Sequence, residues 1–321
     1  MTKPPLQEEK PDLWMACMRS GDFEAAWKTS DAFLKTRAGT PCHHLPRHEQ
    51  YVWNGSPLEG KRVLVRCYHG LGDTIQFIRY APLLKNIATE VIVWAQPSLL
   101  PLLKTIPEID QLLPLHDDAP EASYDVDVEI MELPHVFRTT LATIPAQTPY
   151  LHAEPHKLSE GDEKLHVGLV WKAGDWDARR SIPFSMLQPF AEIPGISLHI
   201  LQGDAVKVGW REGFGFYHGD LSLEEYARRI KGLDLLISVD SMPAHLAGAL
   251  DVPVWNLLHA NPDWRWLENC TDCPWYPTMR LFRQKKAGEW EPVISAVKTE
   301  LETFCKQKRS GKTTLPGNAD V

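Results

Sequence analysis

Short apolar runs separated by amphipathic stretches occupy the chain from about residue 61 to 150. Strands are predicted at RVLVRCY, EVIVWAQ, IDQLLPL and YDVDVEIM, with helical stretches such as SLLPLLKTI between them. Strands of a parallel sheet have continuous apolar sequences because helices cover both faces of the sheet. The pattern therefore predicts an α/β domain built on a doubly wound parallel sheet.

The same alternation returns after a proline-rich linker, IPAQTPYLHAEP. Strands are predicted at HVGLVWKA, ISLHILQ, LDLLISVD and PVWNLLH, and helices at PFSMLQPFAEI, LSLEEYARRIKGL and MPAHLAGAL. Two such units in tandem predict two facing α/β domains, at residues 51–155 and 156–288, with a cleft between them. Ligands of open α/β sheets bind beyond the carboxyl ends of the strands. The residues that follow each strand are therefore the first candidates for a site.

Both ends of the chain show helical patterns instead. From Leu13 to about Lys35, small and aromatic residues recur at helical spacing around a break at Ser20–Gly21–Asp22. This predicts, within residues 1–50, a short hairpin of tetratricopeptide type that must dock on the rest of the chain or on a partner. A further helix is predicted over residues 289–309, followed by a disordered tail over 310–321.

Composition narrows the class of protein. The chain has 321 residues, of which 43% are apolar and 24% charged, as expected for a globular protein. The net charge of −8 argues against a nucleic-acid partner and against binding to acidic lipids. No apolar run approaches the roughly 18–20 residues of a membrane span, and the N-terminus lacks the apolar core of a signal peptide. A cytoplasmic protein is predicted, with peripheral membrane association left open.

The second predicted domain carries a candidate phosphate site in SVDSMPAH. Asp240 ends a predicted strand, Ser241 and Met242 open the next helix, and His245 follows one turn later. Exposed N–H groups and the positive end of a helix dipole suit a phosphate. Alternatively, Asp240 and Ser241 only cap the helix and His245 packs beneath it.

A cationic loop follows an earlier strand of the same domain, in WKAGDWDARR. Lys172, Arg179 and Arg180 lie on it. Guanidinium groups bind diphosphates well because their fork of donors is planar and permanently charged. A solvated basic loop is the alternative, but the position at a carboxyl-end rim of an acidic protein favours ligand binding.

The first predicted domain carries the motif HGLGD directly after its first strand. Gly70 and Gly72 allow a close approach of a ligand or another domain. The motif is neither a dinucleotide fingerprint nor a P-loop. Asp73 falls at the start of a helix, where a carboxylate is favoured even without a function. Pro82 is expected to kink or shorten that helix.

Two metal-like motifs are discounted. Asp125 and Asp127 match an Asp-x-Asp metal motif, but they lie in an extended segment in which alternate residues share one face. Cys270 and Cys273 have the spacing of zinc ligands, yet no second pair follows them. Reduced thiols and no metal site are therefore predicted, and six cysteines in so long a chain do not indicate a disulfide framework.

Four motifs in order resemble a known family. GLGDTIQFIRYAPLLK, VGLVWKAGDWDARRSIP, SVDSMPAHLAGAL and DWRWLENCTDCPWYPTMRLFRQ resemble the glycosyltransferase domain of bacterial tetratricopeptide-repeat glycosyltransferases. These proteins are relatives of glycosyltransferase family nine, the lipopolysaccharide heptosyltransferases. The resemblance implies a GT-B fold: two facing Rossmann-like domains, the first binding mainly the acceptor and the second the sugar nucleotide. It also implies that the final helix crosses back to the first domain. Relatives carry several upstream helical repeats, whereas this sequence has room for about one.

The resemblance further implies an inverting transferase that uses neither metal nor cofactor. The substrates would be a nucleotide-sugar donor and a hydroxyl of a glycan, lipid-linked or protein acceptor. Asp73 would act as, or near, the base, and Arg179 or Arg180 would assist the leaving diphosphate. The donor phosphates would be cradled by Asp240, Ser241, Met242 and His245, with Gln202 a further candidate contact to the nucleotide.

Two other functions stay open on the sequence. The chain could be a non-catalytic protein that binds a nucleotide sugar and docks a partner through its N-terminal hairpin. It could also be a nucleotide-sugar epimerase, since such enzymes share the two-domain shape. Release of nucleotide from the donor, isomerisation of the donor, or binding without turnover would distinguish the three functions.

Overall fold

The computed structural model of the protein describes residues 13–158 and 164–309. The predicted tail over 310–321 and the start of the predicted 1–50 region lie outside the described residues. The helices are α1 Leu13–Ser20, α2 Phe23–Thr36, α3 Leu71–Phe77, α4 Ala81–Lys85, α5 Leu100–Leu103, α6 Leu133–Val136, α7 Gln188–Ala191, α8 Leu223–Lys231, α9 Met242–Ala249 and α10 Glu291–Arg309. The strands are β1 Arg62–Arg66, β2 Glu90–Ala95, β3 Gln111–Pro114, β4 Val126–Glu129, β5 Leu165–Val170, β6 Ile196–Ile200, β7 Phe216–Tyr217, β8 Leu235–Val239, β9 Val254–Leu258 and β10 Met279–Arg283.

The first domain is built on a parallel sheet with strand order β3-β2-β1-β4. Val63 in β1 pairs with Val91 in β2 on one side and with Val126 in β4 on the other. Apolar residues on both faces of β1 are fully buried, as expected for a sheet covered by helices on both sides. All four strands predicted for this domain are present.

The second domain has a six-stranded parallel sheet with order β10-β9-β8-β5-β6-β7. The chain leaves β5 toward β6 on one side and returns on the other side at β8, so the topological switch lies between β5 and β8. A cleft opens at such a switch, at the carboxyl ends of the strands. The sequence pattern predicts neither of the two edge strands. β7 has only two residues, and the apolar sequence of β10 is interrupted by two basic residues, Arg280 and Arg283.

The N-terminal hairpin breaks where the sequence predicts. Gly21 has a φ of +83°, and the Asp22 carboxylate caps α2 by accepting the Ala25 N–H at 3.1 Å. Phe23 packs on Trp264 of the second domain, with ring centroids 6.1 Å apart. Indole Nε1 of Trp27 donates to a first-domain carbonyl at 2.7 Å. The hairpin is therefore docked on both domains of its own chain, while its kinship with tetratricopeptide repeats remains a prediction.

Helix α10 packs on the second domain. Val293, Val297 and Leu301 are buried in the core that includes β5, β8 and β9. Glu300 pairs with Arg280 of β10 at 2.9 Å. These contacts differ from the expected return to the first domain, because the apolar face of α10 is covered by second-domain side chains. Among the described helices, none is long and apolar enough to cross a membrane.

The two domains meet where α3 lies against α9. A Cβ atom on Gly72 would lie 3.0 Å from Cδ2 of His245 and 3.5 Å from the Cα of Met242. The glycine thus permits the close approach that the sequence predicts. As expected from Pro82, the helix is interrupted: α3 ends at Phe77, and a tight turn leads into α4.

Candidate active site

Asp73 lies at the domain contact, within the first turn of α3. Its Oδ2 accepts the N–H of Gly70 at 2.9 Å, which caps its own helix. Its Oδ1 accepts Nη1 of Arg265, from the second domain, at 2.9 Å. The carboxylate is therefore both a helix cap and one half of an ion pair that joins the domains.

The surroundings of Asp73 keep it ionised. Burial alone would raise the pKa of this carboxyl, but the Arg265 guanidinium outweighs burial and holds the pKa below its usual value. His69 is a further group that acts on Asp73, and its Nδ1 lies 3.0 Å from Oε1 of Glu129. Burial would lower the pKa of His69, and Glu129 raises it above the ordinary value.

The start of α9 is open toward the second-domain cleft. The Ser241 hydroxyl donates to the Val239 carbonyl at 3.0 Å and makes no capping bond to α9 within the described chain. Ser241 and Met242 both line a cavity of about 710 Å³ at the carboxyl ends of β5, β6 and β8. The first N–H groups of a helix are polar donors that an anion can satisfy.

This donor-side cavity also contains Lys172 and Gln202. Nζ of Lys172 lies 2.9 Å from Asp175 and 3.5 Å from Asp204. Oε1 of Gln202 accepts the Lys172 N–H at 3.0 Å, and its Nε2 donates to Asp204 at 2.7 Å. The cavity therefore combines one cation with several carboxylates. Its lining further includes Leu71 of the first domain, so it reaches the start of α3.

His245 lies away from that cavity, inside the domain contact. Its Nδ1 is 3.0 Å from the Tyr276 hydroxyl, and its ring stacks on Trp266 with centroids 5.2 Å apart. Burial, reinforced by nearby Arg265, lowers the pKa of His245 to about 3. The imidazole is therefore neutral at physiological pH.

The two loop arginines have different positions. Arg179 is largely exposed and pairs with Asp177 at 2.8 Å. Arg180 is 8% exposed and donates through Nη1 to the Asp240 carbonyl at 2.9 Å. Its guanidinium lies 4.1 Å from the ring centroid of Trp176, which is 77% exposed. Among the described residues, Nε of Arg180 has no hydrogen-bond partner. Arg180 is thus the arginine that the fold brings to the end of β8.

Asp240 carries a buried carboxyl beside these groups. Burial, with the neighbouring Asp263 adding to it, raises the pKa of Asp240 to about 6. Asp263 caps the tight turn Trp264–Trp266 by accepting the Arg265 N–H at 3.1 Å. Three carboxylates and two guanidiniums therefore share the region where the domains meet.

A second cavity, of about 390 Å³, lies between the N-terminal hairpin and the first domain. His69 and Glu129 line this cavity, and Phe33 and Tyr51 are exposed aromatic residues on its wall. Burial raises the pKa of Glu132, also on its wall, to about 8. The remaining aromatic residues that line this hairpin cavity are Trp14, Trp27, Trp53 and Trp264.

The discounted metal motifs are engaged in other contacts. Asp125 pairs with Arg62 at 2.9 Å, and Asp127 pairs with Arg66 at 2.8 Å. Sγ of Cys270 lies 3.2 Å from the Trp266 carbonyl.

The structure brings in residues to which the sequence pattern assigns no role. Arg265 is the partner of Asp73, and it stands in the stretch DWRWLENC, where a lone arginine between buried aromatics is a usable signal. Asp204 ends the stretch LQGD at a strand end. His69 and Glu129 carry no comparable signal, because their pairing depends on the neighbouring positions of β1 and β4.

A family model and a known protein are similar to this chain. Residues 217–267, which span α8 to the Trp264–Trp266 turn, match the family described as Glycosyltransferase family 9 (heptosyltransferase). Protein FlbA of Caulobacter vibrioides is 25% identical over 339 aligned residues, covering 93% of this chain. The chain spans only 55% of the length of that relative.

Solved structures show the same architecture. The glycosyl transferase family 9 protein of Veillonella parvula is 15% identical with a TM-score of 0.53, covering 83% of this chain and 93% of its own. The heptosyltransferase WaaC of E. coli, solved with ADP-2-deoxy-2-fluoro heptose, is 15% identical with a TM-score of 0.50, covering 76% and 99%. The protein therefore has the GT-B-like fold of parallel α/β domains found in these enzymes. Together with the family match, this fold supports a glycosyltransferase.

Proposed function

We propose that the protein transfers a sugar from a nucleotide-sugar donor to an acceptor hydroxyl, with Asp73 as the base. One observation carries this proposal: an ionised carboxylate at the start of α3 lies beside the start of α9, which opens on the donor-side cavity. Proton acceptance by a positioned carboxylate is a general means of activating a hydroxyl.

The donor would bind in the cavity of about 710 Å³. The start of α9 and Lys172 offer positive charge to its phosphates, and the carboxylates of Asp175 and Asp204 suit sugar or ribose hydroxyls. Trp176 is the exposed aromatic residue near this loop and offers a stacking surface. Since WaaC was solved with an ADP-sugar analogue, an ADP-heptose is the first donor to test.

Transfer would proceed by one in-line displacement. The acceptor oxygen attacks the anomeric carbon while the bond to the diphosphate oxygen breaks on the opposite side, and the hydroxyl proton passes to Asp73. Such a displacement inverts the anomeric centre. Arg180 and the start of α9 would stabilise the charge that develops on the leaving diphosphate, so we further propose that no metal or cofactor is needed.

The acceptor would bind on the first-domain side, in the hairpin cavity. His69, which lines this cavity, stands four positions before Asp73, and Phe33 and Tyr51 provide aromatic surface. Aromatic walls with a few polar groups are typical of small-ligand sites. A glycan, a lipid-linked glycan and a protein side chain all present the hydroxyl that the proposal requires. Cytoplasmic location and tetratricopeptide kinship of the hairpin also remain part of the proposal.

The test is incubation of the pure protein with a panel of nucleotide sugars, followed by NMR. Slow release of nucleoside diphosphate, insensitive to a chelator and accelerated by an acceptor, supports the transferase. Isomerisation of the donor would instead indicate an epimerase, and binding without turnover would indicate a non-catalytic role.

A further inference from the structure

We propose that Arg265 is a positioning residue for the transfer reaction: it reaches from the second domain to orient the Asp73 carboxylate, so that the base is complete only when the two domains are in contact. This inference rests on the proposed function of Asp73. It assigns a role to a side chain that lies between the donor-side and acceptor-side halves of the molecule.

The pair is well defined in geometry. Nη1 of Arg265 is 2.9 Å from Oδ1 of Asp73, and the two side chains are 8% and 20% exposed. Oδ2 is held separately by the Gly70 N–H at 2.9 Å. One donor on each oxygen fixes the plane of the carboxylate. Because a carboxylate oxygen has two lone pairs, each oxygen still has one available for an acceptor hydroxyl.

Arg265 is itself presented by a rigid turn. Asp263 caps that turn, and Nη2 of Arg283 donates to the carbonyls of Trp266 and Leu267 at 3.1 and 3.0 Å. Leu267 has a φ of 54° with a ψ of −176°, a conformation that is costly for a residue with a side chain. Strain of this kind persists only where surrounding contacts hold the backbone. Here the bonds from Arg283 hold the two residues that follow Arg265.

The charges around Asp73 give the expected sign of a substitution. Arg265, His245 and His69 face the carboxylate, and the groups beyond them are Arg180, Asp240 and Asp263. His245 is neutral at pH 7 because its pKa is about 3. Nδ1 of His69 lies 3.0 Å from Glu129, whose carboxylate offsets a positive charge on the imidazole whenever His69 is protonated. Without Arg265, burial would dominate and the pKa of Asp73 would rise.

The experiment compares wild type with Arg265→Gln and Arg265→Lys. Carbon-13 NMR of aspartate-labelled protein follows the titration of Asp73, identified by its absence in Asp73→Asn. In Arg265→Gln we expect its midpoint to rise by about one pH unit or more. The acid limb of kcat/KM should move upward with it. We also expect kcat to fall about tenfold or more while the Kd for the donor stays within about twofold. For Arg265→Lys, the Asp73 midpoint and kcat should lie between the values of wild type and those of Arg265→Gln.

The matched control is Arg280→Gln, which breaks the pair between Arg280 of β10 and Glu300 of α10. It should leave both the Asp73 midpoint and the pH profile unchanged. An unchanged midpoint in Arg265→Gln, or weaker donor binding with an unshifted acid limb, would overturn the proposal. If the glutamine variant does not fold, the lysine variant decides by the same criteria. If wild type transfers no sugar, the proposed function fails, while the NMR titration still tests the pair.

Discussion

The buried side chain of Arg79 should hold the two domains together. Its guanidinium carbon lies over two tyrosine rings, 4.6 Å from the ring centroid of Tyr150 and 4.4 Å from that of Tyr276. Nε donates to the Gln76 carbonyl at 2.7 Å, and Nη2 donates to the Tyr150 hydroxyl at 2.8 Å. Nη1 donates to the Trp275 carbonyl of the second domain. Replacement by methionine would keep much of the side-chain length and remove every one of these bonds.

The magnitude follows from what the substitution leaves behind. Each hydrogen bond from a charged donor contributes about 1.5–3 kcal/mol, and a buried acceptor without a partner carries a desolvation cost of similar size. Removing the buried guanidinium also removes its desolvation cost, which is roughly several kcal/mol. The loss of the hydrogen bonds and the relief of this cost therefore partly cancel. We expect Arg79→Met to lower the free energy of unfolding by about 3 kcal/mol.

Urea unfolding followed by tryptophan fluorescence measures this loss directly. Arg280→Met is the control, because its pair with Glu300 is partly exposed and should contribute about 1 kcal/mol or less. A loss for Arg79→Met of no more than that of the control would refute the reasoning. It would mean that the carbonyls find water or new partners when the guanidinium is gone.

Other side chains give further single tests. Gly248→Ala would place a methyl group 2.3 Å from Cδ1 of buried Tyr276, so we expect a loss of about 1–3 kcal/mol in the free energy of unfolding. A loss below about 0.5 kcal/mol would show that the tyrosine ring moves freely. Burial, with Asp263 adding to it, raises the pKa of Asp240 to about 6 from the usual 3.8. Between these two pH values the native wild type binds more protons than the unfolded chain, so its free energy of unfolding falls as the pH rises. The free energy of unfolding of Asp240→Asn relative to wild type should therefore increase from about pH 4 to pH 6 and then level off. Urea unfolding at both pH values tests this, and an equal difference between variant and wild type at the two values would contradict it. Tyr51→Ala should raise the KM for the acceptor with the donor Kd unchanged, and an unaltered acceptor KM would remove the hairpin cavity from the proposal.

The interior strands are predictable from the sequence because burial on both faces demands apolar runs. Val63 to Val65 and Leu235 to Val239 are of this kind. The strand ends follow from the same pattern, so the sequence alone makes candidates of Asp73, Lys172 and Ser241. Edge strands lack this signature, since one side of the strand meets solvent. β10, with Arg280 and Arg283, is therefore missed.

Contacts between the domains are not predictable in this way. Asp73 and Arg265 are 192 positions apart, and no local periodicity relates them. The same holds for His245, whose motif suggests a phosphate contact, while Gly72 and Tyr276 enclose it at the domain contact. The direction of α10 depends on which apolar surface remains uncovered after the sheets have formed. The helix itself is evident from Val293, Val297 and Leu301, but its docking surface is not.

The most direct test of the central claim is donor turnover by Asp73→Asn. An asparagine oxygen can still accept the Gly70 N–H, so the helix start and the donor-side cavity should persist. We expect turnover of the accepted nucleotide sugar to fall by about 100-fold or more, in line with the loss of a general base. The donor should still raise the melting temperature as it does in wild type, because binding to the folded state is unaffected. Turnover near the wild-type rate in Asp73→Asn would contradict the assignment of Asp73 as the base.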